Sequence, residues 1–217
     1  MTIKNNLDDF EPLWLKSKVI IGITGGIASG KTTAAKFFYK KGIPVIDADR
    51  IGHQILQQEE VKEKILSAFG KDVISENQIN RQELGKIVFR NQDRLKKLNN
   101  IVHPILIKKI LQSIKSLNEN IIIIDAALLL DWNLDEICTY VILITTKKSI
   151  QIKRLMTYKN LSNKDAISRI SSQKKPTQKR DFIIIENNST LSEFEEKLQK
   201  VWDLVKTETG NWKLDTG

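Results

Sequence analysis

Short runs of apolar, mostly β-branched residues recur along the chain and predict five buried strands. The runs cover residues 19–24, 44–47, 121–125, 140–144 and 182–185, and the run at 121–125 is the clearest. Continuous apolar strands separated by helices are typical of a parallel sheet that is covered on both faces. The pattern therefore predicts an α/β fold with a five-stranded parallel sheet in three layers. Ligands of such sheets bind at the carboxyl ends of the strands.

Apolar residues at helical spacing fill most of the chain between these strands. They predict a helix over 32–41, a helical stretch throughout 50–118, helices at about 147–159 and 163–173, and a last helix ending near 206. Capping residues mark two of the starts: Asn80 with Glu83, and Thr190 with Glu193. Gly70 and the polar segment SENQIN (75–80) interrupt the long helical stretch.

The loop between the first strand and the first helix reads GGIASGKT and fits the pattern G-x-x-x-x-G-K-[ST]. Glycines let the backbone N–H groups turn inward, and the helix N-terminus adds partial positive charge at the same place. Lys31 can reach the β- and γ-phosphates, and the Thr32 hydroxyl can ligate Mg²⁺. The loop is therefore predicted to bind a nucleoside triphosphate, with ATP as the expected nucleotide. The predicted binding residues are Gly25, Gly26, Ala28, Ser29, Gly30, Lys31, Thr32 and Thr33.

Two classes of hydrolase use this loop, the motor and transporter ATPases and the GTPases, and the sequence lacks features of both. The strand that ends at Asp125 is followed by Ala126, whereas motor and transporter ATPases carry a Glu there to activate water. A GTPase-like D-x-x-G occurs at 49–52, but it follows Lys31 by only 18 residues, and no guanine-reading N-K-x-D is present. A kinase of small molecules remains. Such kinases exclude water with a lid that supplies Arg or Lys to the transferring phosphoryl group.

Acidic residues at the ends of the second and third strands are the candidates for chemistry. Asp49 can accept the proton of an attacking hydroxyl, which we favour over a role as a helix cap. For Asp47 the helix cap is at least as good an interpretation. Asp125 can hold Mg²⁺ or serve a structural hydrogen bond. Arg154 follows the fourth strand, where the lid of a small kinase begins, although a single helical Arg is usually a surface residue.

Composition narrows the function classes further. The 217 residues, of which 41% are hydrophobic, suit one domain, and no apolar run reaches the roughly 18 residues that span a bilayer. The N-terminus lacks a signal sequence, so we expect a soluble, cytoplasmic protein without a membrane partner. The single cysteine, Cys138, predicts a small buried side chain and no intramolecular disulfide. The net charge of +9 leaves open a nucleic-acid-binding P-loop ATPase. The missing Glu argues against it, so we expect no nucleic-acid partner.

The sequence from about Val19 to about Val205 resembles the dephospho-CoA kinase family. The most specific matches are TGGIASGKTT (24–33) and GIPVIDAD (42–49). Further matches are INRQELGKIVF (79–89), IVHP (101–104), ALLLD (127–131), KRLM (153–156), SRISSQ (168–173) and IENNS (185–189). The resemblance implies transfer of phosphate from MgATP to the ribose 3′-hydroxyl of dephospho-CoA. A P-loop kinase for a nucleoside monophosphate or another hydroxyl metabolite is the alternative.

The resemblance also implies roles for individual residues. Asp49 matches the catalytic Asp of the family, Lys31 and Thr32 match its phosphate and Mg²⁺ ligands, and Arg154 matches its lid-root arginine. Arg81 and His103 fall in a helical insertion that resembles the part that binds dephospho-CoA. His103-Pro104 can also simply start a helix, with Pro at the first helical position.

The expected organisation is an extension over 1–17, docked through Trp14, a kinase domain over 18–207 and a tail over 208–217. The core of the domain comprises 18–50, 119–149 and 182–207, with the acceptor-binding insertion at 51–118 and the lid at 150–181. The lid departs from the family pattern, because Tyr158 replaces an Arg and the segment 173–182 is short. Which basic residue completes the phosphate clamp therefore stays open among Lys174, Lys175, Lys179 and Arg180.

Overall fold

The computed structural model describes residues 13–89, 91–173, 181–208 and 210. Seven strands are present in this part of the chain: β1 Val19–Gly25, β2 Val45–Asp47, β3 Ile74–Ser75, β4 Gln78–Ile79, β5 Ile121–Asp125, β6 Tyr140–Thr145 and β7 Ile183–Glu186. Five of them form one sheet in the order β2-β5-β1-β6-β7, and every neighbouring pair is parallel. The predicted five-stranded parallel α/β sheet is confirmed.

Nine α-helices connect these strands within the described residues. They are α1 Leu13–Lys16, α2 Lys31–Lys40, α3 Ala48–Ile55, α4 Glu59–Phe69, α5 Arg81–Val88, α6 Gln92–Ser116, α7 Lys148–Lys159, α8 Asn163–Ser171 and α9 Leu191–Glu208. The predicted caps are present, since the Asn80 side chain accepts from the N–H groups of Gln82 and Glu83. The Thr190 hydroxyl likewise accepts from the Glu193 N–H.

The sheet separates two hydrophobic clusters, which makes the fold three layers deep. Along β5 the side chains alternate between the clusters, with Ile122 and Ile124 in one and Ile121 and Ile123 in the other. The first cluster packs against α3 to α6, and the second packs against α2 and α9. Both faces of β5 are thus covered by apolar side chains, which explains why the strand reads as one continuous apolar run.

The break that the segment SENQIN (75–80) predicts in the helical stretch over 50–118 is confirmed, but the sequence did not predict its form, a small antiparallel hairpin over residues 74–79 between α4 and α5. Its turn residues Glu76 and Asn77 have φ of 51° and 61°, as a tight two-residue hairpin turn requires. The Gln57 side chain bonds both the N–H and the carbonyl oxygen of Ile79, which completes the pairing of this short strand. Two-residue strands leave no periodicity by which the sequence could reveal them.

The predicted helix start at His103-Pro104 is also wrong, because α6 runs through Pro104 from Gln92 to Ser116. Asn91 caps the true start by accepting from the Arg94 N–H. Leu95 and Leu98, in the first half of α6, pack against the core cluster. This packing offsets the cost of a proline inside the helix.

Several smaller expectations can be compared with the structure. In the predicted extension over 1–17, Trp14 packs against the core cluster and Leu15 is buried, while residues 1–12 lie outside the described residues. Cys138 is buried, as predicted. The four basic candidates of the lid at 174–180 also lie outside the described residues. Within the described part of the chain, no helix is long and apolar enough to cross a membrane.

Candidate active site

The P-loop connects β1 to α2, and close contacts explain its glycines. A Cβ atom at Gly25 would lie 2.5 Å from the Ile144 carbonyl oxygen. At Gly30, where φ is 107°, a Cβ would lie 2.2 Å from Asn187 Nδ2. Because both distances are far below van der Waals contact, the sequence can place only glycine at these positions. The predicted loop, Gly25 to Thr33, lies at the carboxyl end of the sheet.

Lys31 is the first residue of α2, and its amine bonds two carboxylates. The Nζ atom donates to Asp125 Oδ1 and to Asp49 Oδ2, the latter over 3.3 Å. Burial alone would lower the pKa of Lys31, but the attraction of Asp125 and Asp49 outweighs it, so the pKa is raised. The lysine is therefore charged at neutral pH and lies between the strand ends that carry the two acids.

Asp49 lies in the first turn of α3 and not at the end of β2, where we expected it. Both of its carboxylate oxygens accept from the Ala127 N–H, over 3.1 and 3.2 Å. Asp47 ends β2 and caps α3 by accepting from the Arg50 N–H over 2.8 Å. The backbone thus fixes the Asp49 carboxylate beside the Lys31 amine, while Asp47 has the helix-capping role.

Asp125 ends β5, the strand between β2 and β1, and is largely buried. Burial raises the pKa of Asp125, the attraction of Lys31 opposes this, and the nearby charges of Asp49 and Asp47 add to the increase. Two carboxylates, those of Asp49 and Asp125, therefore share one lysine, and the nearby Asp47 adds negative charge to the cluster. Among the described residues no preformed group of three or more metal-ligating side chains exists.

Arg154, on α7, is hydrogen-bonded to the P-loop and is not a solvated surface residue. Its guanidinium donates to the carbonyl oxygens of Ala28 and Ser29 over 3.0 and 3.2 Å. It also donates to the carbonyl and side-chain oxygens of Asn187 over 3.2 and 3.1 Å. Arg154 therefore joins the helix after β6 to the loop that is predicted to bind phosphate.

Asn187 is a residue of this site that the sequence analysis did not identify. It follows β7 and is buried, and its Nδ2 donates to the Ser29 carbonyl oxygen over 2.7 Å. The only signal in the sequence is its place in the segment IENNS, which carries no chemistry of its own. Its role depends on a contact between residues 158 positions apart, and local patterns do not reveal such a contact.

The two residues predicted to bind the acceptor lie away from this cluster. Arg81 is exposed at the first residue of α5. His103 lies on α6, with its ring 6.4 Å from that of Trp132, and its Nε2 is buried without a hydrogen-bond partner among the described residues. Burial lowers the pKa of His103, although the charge of Asp131 opposes the shift.

Trp132 connects His103 to the helix that carries Asp49. Its ring lies 3.6 Å from the position that a Cβ of Gly52 would take, and Gly52 is one turn beyond Asp49 on α3. The sequence analysis did not identify Trp132, because a single Trp after a loop is usually a packing residue. The structure thus places an aromatic ring and an unpartnered imidazole nitrogen on the α3 and α6 side of the acidic cluster.

Comparison with known proteins gives consistent matches over most of the chain. A family model described as dephospho-CoA kinase matches residues 19–193. The dephospho-CoA kinase of Lactobacillus johnsonii is 39% identical over 185 residues, which are 82% of this chain and 93% of that protein. The dephospho-CoA kinase of Lactobacillus acidophilus is 38% identical over 197 residues, which are 87% and 98% of the two chains.

Solved structures give the same result for the fold. A Thermus thermophilus protein superposes with a TM-score of 0.76 at 26% identity, covering 87% of this chain and 98% of its own. The dephospho-CoA kinase of Campylobacter jejuni superposes with a TM-score of 0.63 at 30% identity, covering 88% and 98%.

Proposed function

The chain belongs to the dephospho-CoA kinase family, and from this premise we propose how its own residues carry out the phosphoryl transfer. It is a phosphotransferase that uses ATP to phosphorylate dephospho-CoA in coenzyme A biosynthesis. We assign the ribose 3′-hydroxyl as the acceptor atom, with ADP as the second product. The observation that carries the assignment of roles is the Asp49 carboxylate, fixed beside the P-loop lysine.

Asp49 is the residue that we propose to accept the proton of the ribose hydroxyl. The bonds from the Ala127 N–H hold both carboxylate oxygens, so the side chain is oriented before any substrate arrives. A carboxylate that is already in place costs no reorganisation when the hydroxyl attacks. The attacking oxygen becomes a better nucleophile as its proton moves to Asp49.

The P-loop and Lys31 are proposed to bind the triphosphate. The loop N–H groups and the N-terminus of α2 supply partial positive charge, and the Lys31 amine adds a full charge near the β- and γ-phosphates. In the structure this amine pairs with Asp125 and Asp49. When phosphates bind, we expect the amine to share its hydrogen bonds with them, which also frees an oxygen of Asp49 for the acceptor.

The residues present fit a Mg²⁺ ion that arrives with the nucleotide. Mg²⁺ in kinases keeps several waters and takes only one or two protein oxygens besides the phosphates, so a preformed cage is not needed. Asp125 and the exposed Thr32 hydroxyl would hold it, because the charges of Asp49 and Asp47 near Asp125 leave excess negative charge there. When bound, the ion neutralises charge on the phosphate oxygens.

Arg154 is proposed to stabilise the charge that develops on the transferring phosphoryl group. Its hydrogen bonds to Ala28 and Ser29 place the guanidinium against the loop that binds the phosphates. Arginines that stabilise such transition states can contribute on the order of 10³-fold to turnover. His103 and Arg81 are proposed to contact dephospho-CoA from α6 and α5, and Trp132 gives this region an aromatic surface.

The experiment that tests this function measures ADP release from MgATP with a panel of acceptors. We expect release with dephospho-CoA and only background release with AMP, with a sugar alcohol or with no acceptor. Equal or faster ADP release with AMP would show that AMP, and not dephospho-CoA, is the substrate. Release that does not depend on an acceptor would make the protein an ATPase.

A further inference from the structure

Both backbone polar groups of Ile27, in the middle of the P-loop, are bonded to glutamine side chains. Gln151 Nε2 donates to the Ile27 carbonyl oxygen over 2.9 Å. The Ile27 N–H donates to Gln173 Oε1 over 2.6 Å. Gln151 lies on α7, and Gln173 lies two residues beyond the end of α8. One loop residue is therefore held by side chains from two helices that pack against each other.

Three successive carbonyl oxygens of the P-loop face side-chain donors from α7. Gln151 donates to Ile27, and Arg154 donates to Ala28 and Ser29. The two side chains are three residues apart on one helix, so they lie on the same face. These side chains occupy the three carbonyl oxygens, and Gln173 occupies the Ile27 N–H, so a phosphate would meet the N–H groups at the N-terminus of α2.

Gly26 gives the two glutamines the space to approach the loop. A Cβ at this position would lie 3.1 Å from Gln151 Nε2 and 3.4 Å from Gln173 Oε1. The distance to Gln151 is shorter than most real Cβ contacts, and the distance to Gln173 is at the short end of ordinary contact, so a side chain here would press on Gln151. The absence of a Cβ at Gly26 thus leaves space mainly for Gln151.

We propose that Gln151 and Gln173 are positioning residues of the nucleotide site, which hold the Ile27 backbone in the conformation that receives the phosphates of ATP. The inference rests on the proposed function, because ATP is the ligand. The glutamines act through the loop backbone and not on the reacting atoms. A loop that is ordered beforehand does not have to be ordered by the nucleotide, and ATP therefore binds more tightly.

The test replaces each glutamine with methionine, which has a similar shape and no strong donor or acceptor. We expect Gln151→Met and Gln173→Met each to weaken ATP binding about three- to tenfold, the usual effect of losing one neutral hydrogen bond. Turnover at saturating ATP should change less than twofold. Because both side chains hold the same residue, the double variant should lose less affinity than the product of the two single losses.

Gln199→Met is the matched control, since Gln199 lies on α9 and donates only to the exposed Asp203. Unchanged ATP affinity in both single variants would overturn the proposal, and so would losses that multiply independently. A second readout uses the chain without ligand. Exchange of the Ile27 amide hydrogen should be about tenfold faster in Gln173→Met than in the wild type or in Gln199→Met, as expected when one net hydrogen bond is lost. Equal exchange rates would also overturn the proposal.

These measurements can be separated from the proposed function itself. The affinity and exchange experiments contain no acceptor. A wild-type chain that binds ATP but does not phosphorylate dephospho-CoA would contradict the proposed acceptor. The same chain would still show whether the two glutamines position the loop.

Discussion

At the scale of single residues, the site is organised around one lysine whose amine bonds two carboxylates. Lys31 bonds Asp125 and Asp49, and the Ala127 N–H fixes Asp49 from the other side. The P-loop motif and the two acids could be predicted from the sequence, because each has a known chemistry at a strand end. The distances between the loop and the two acids could not be predicted, since they depend on the register of β2 against β5, in which Asp47 pairs with Asp125.

Asp49→Asn tests the proposed proton acceptor. The amide cannot take the proton, so we expect the turnover number to fall by about 10²- to 10⁴-fold, the usual contribution of a general base. The dissociation constant of ATP should change by less than about threefold, because the phosphates bind mainly to the loop. Steady-state kinetics and equilibrium binding measure the two effects separately.

Asp47→Asn is the control for that substitution, two residues away. Asp47 caps α3, and Asn caps helices as well as Asp does, so both stability and turnover should be close to those of the wild type. Nearly normal turnover in Asp49→Asn, or an equal loss in Asp47→Asn, would remove Asp49 from the proposed mechanism.

His103 should make the stability of the protein depend on mild acid. Burial lowers its pKa from the ordinary 6.5, so below pH 6.5 the unfolded chain binds a proton that the folded chain does not. The free energy of unfolding should therefore fall as the pH falls from 6.5, by less than about 1.4 kcal/mol per pH unit, since the ring is only partly buried. His103→Gln should make this fall shallower in denaturant titrations between pH 5 and 7.

The second histidine of the chain, His53, provides the control. It is exposed on α3, so His53→Gln removes a histidine without removing a buried ring. If His103→Gln had the same pH dependence as the wild type and His53→Gln, our account of a buried neutral imidazole would be wrong.

At the scale of elements, the sheet strands could be predicted from sequence because each contains a continuous apolar run, even the edge strand β7, in which Ile184 is exposed. The hairpin at 74–79 could not, because two-residue strands carry no periodicity. Pro104 gave a false helix start, since packing of the first half of α6 overrides the local preference of proline. The contact between the end of β7 and the P-loop, made by Asn187, depends on tertiary structure alone.

Asn187→Ala tests whether the end of β7 supports the P-loop. The substitution removes the donor to the Ser29 carbonyl oxygen and the side-chain acceptor for Arg154. Buried polar groups that lose their partners typically cost about 1–3 kcal/mol of stability. We therefore expect a lower free energy of unfolding in denaturant titrations and weaker ATP binding by calorimetry.

The neighbouring Asn188 provides a matched substitution. Its side chain accepts from the Lys147 N–H and donates to Glu186, and within the described residues it makes no hydrogen bond to the P-loop. Asn188→Ala should therefore leave ATP affinity close to that of the wild type. Equal losses of affinity in the two alanine variants would show that Asn187 has no special role in supporting the loop.

At the scale of the whole molecule, the fold brings four parts of the chain to the carboxyl end of one sheet. The P-loop follows β1, Asp49 and Asp125 follow or end the adjacent strands β2 and β5, and Arg154 comes from the helix after β6. The parallel sheet order β2-β5-β1-β6-β7 is what places these strand ends side by side. Helices α3 and α6, which contribute to the proposed acceptor region, pack on the side of the sheet where Asp49 lies.

The central claim is that this arrangement moves the γ-phosphoryl group of ATP to the ribose 3′-hydroxyl of dephospho-CoA. The most direct measurement is the structure of the product formed from MgATP and dephospho-CoA, by mass spectrometry and phosphorus NMR. We predict a product heavier by one phosphate, with the new phosphorus coupled to the ribose 3′ proton and a spectrum identical to that of coenzyme A. Unmodified dephospho-CoA, or a phosphate on a different hydroxyl, would contradict the account.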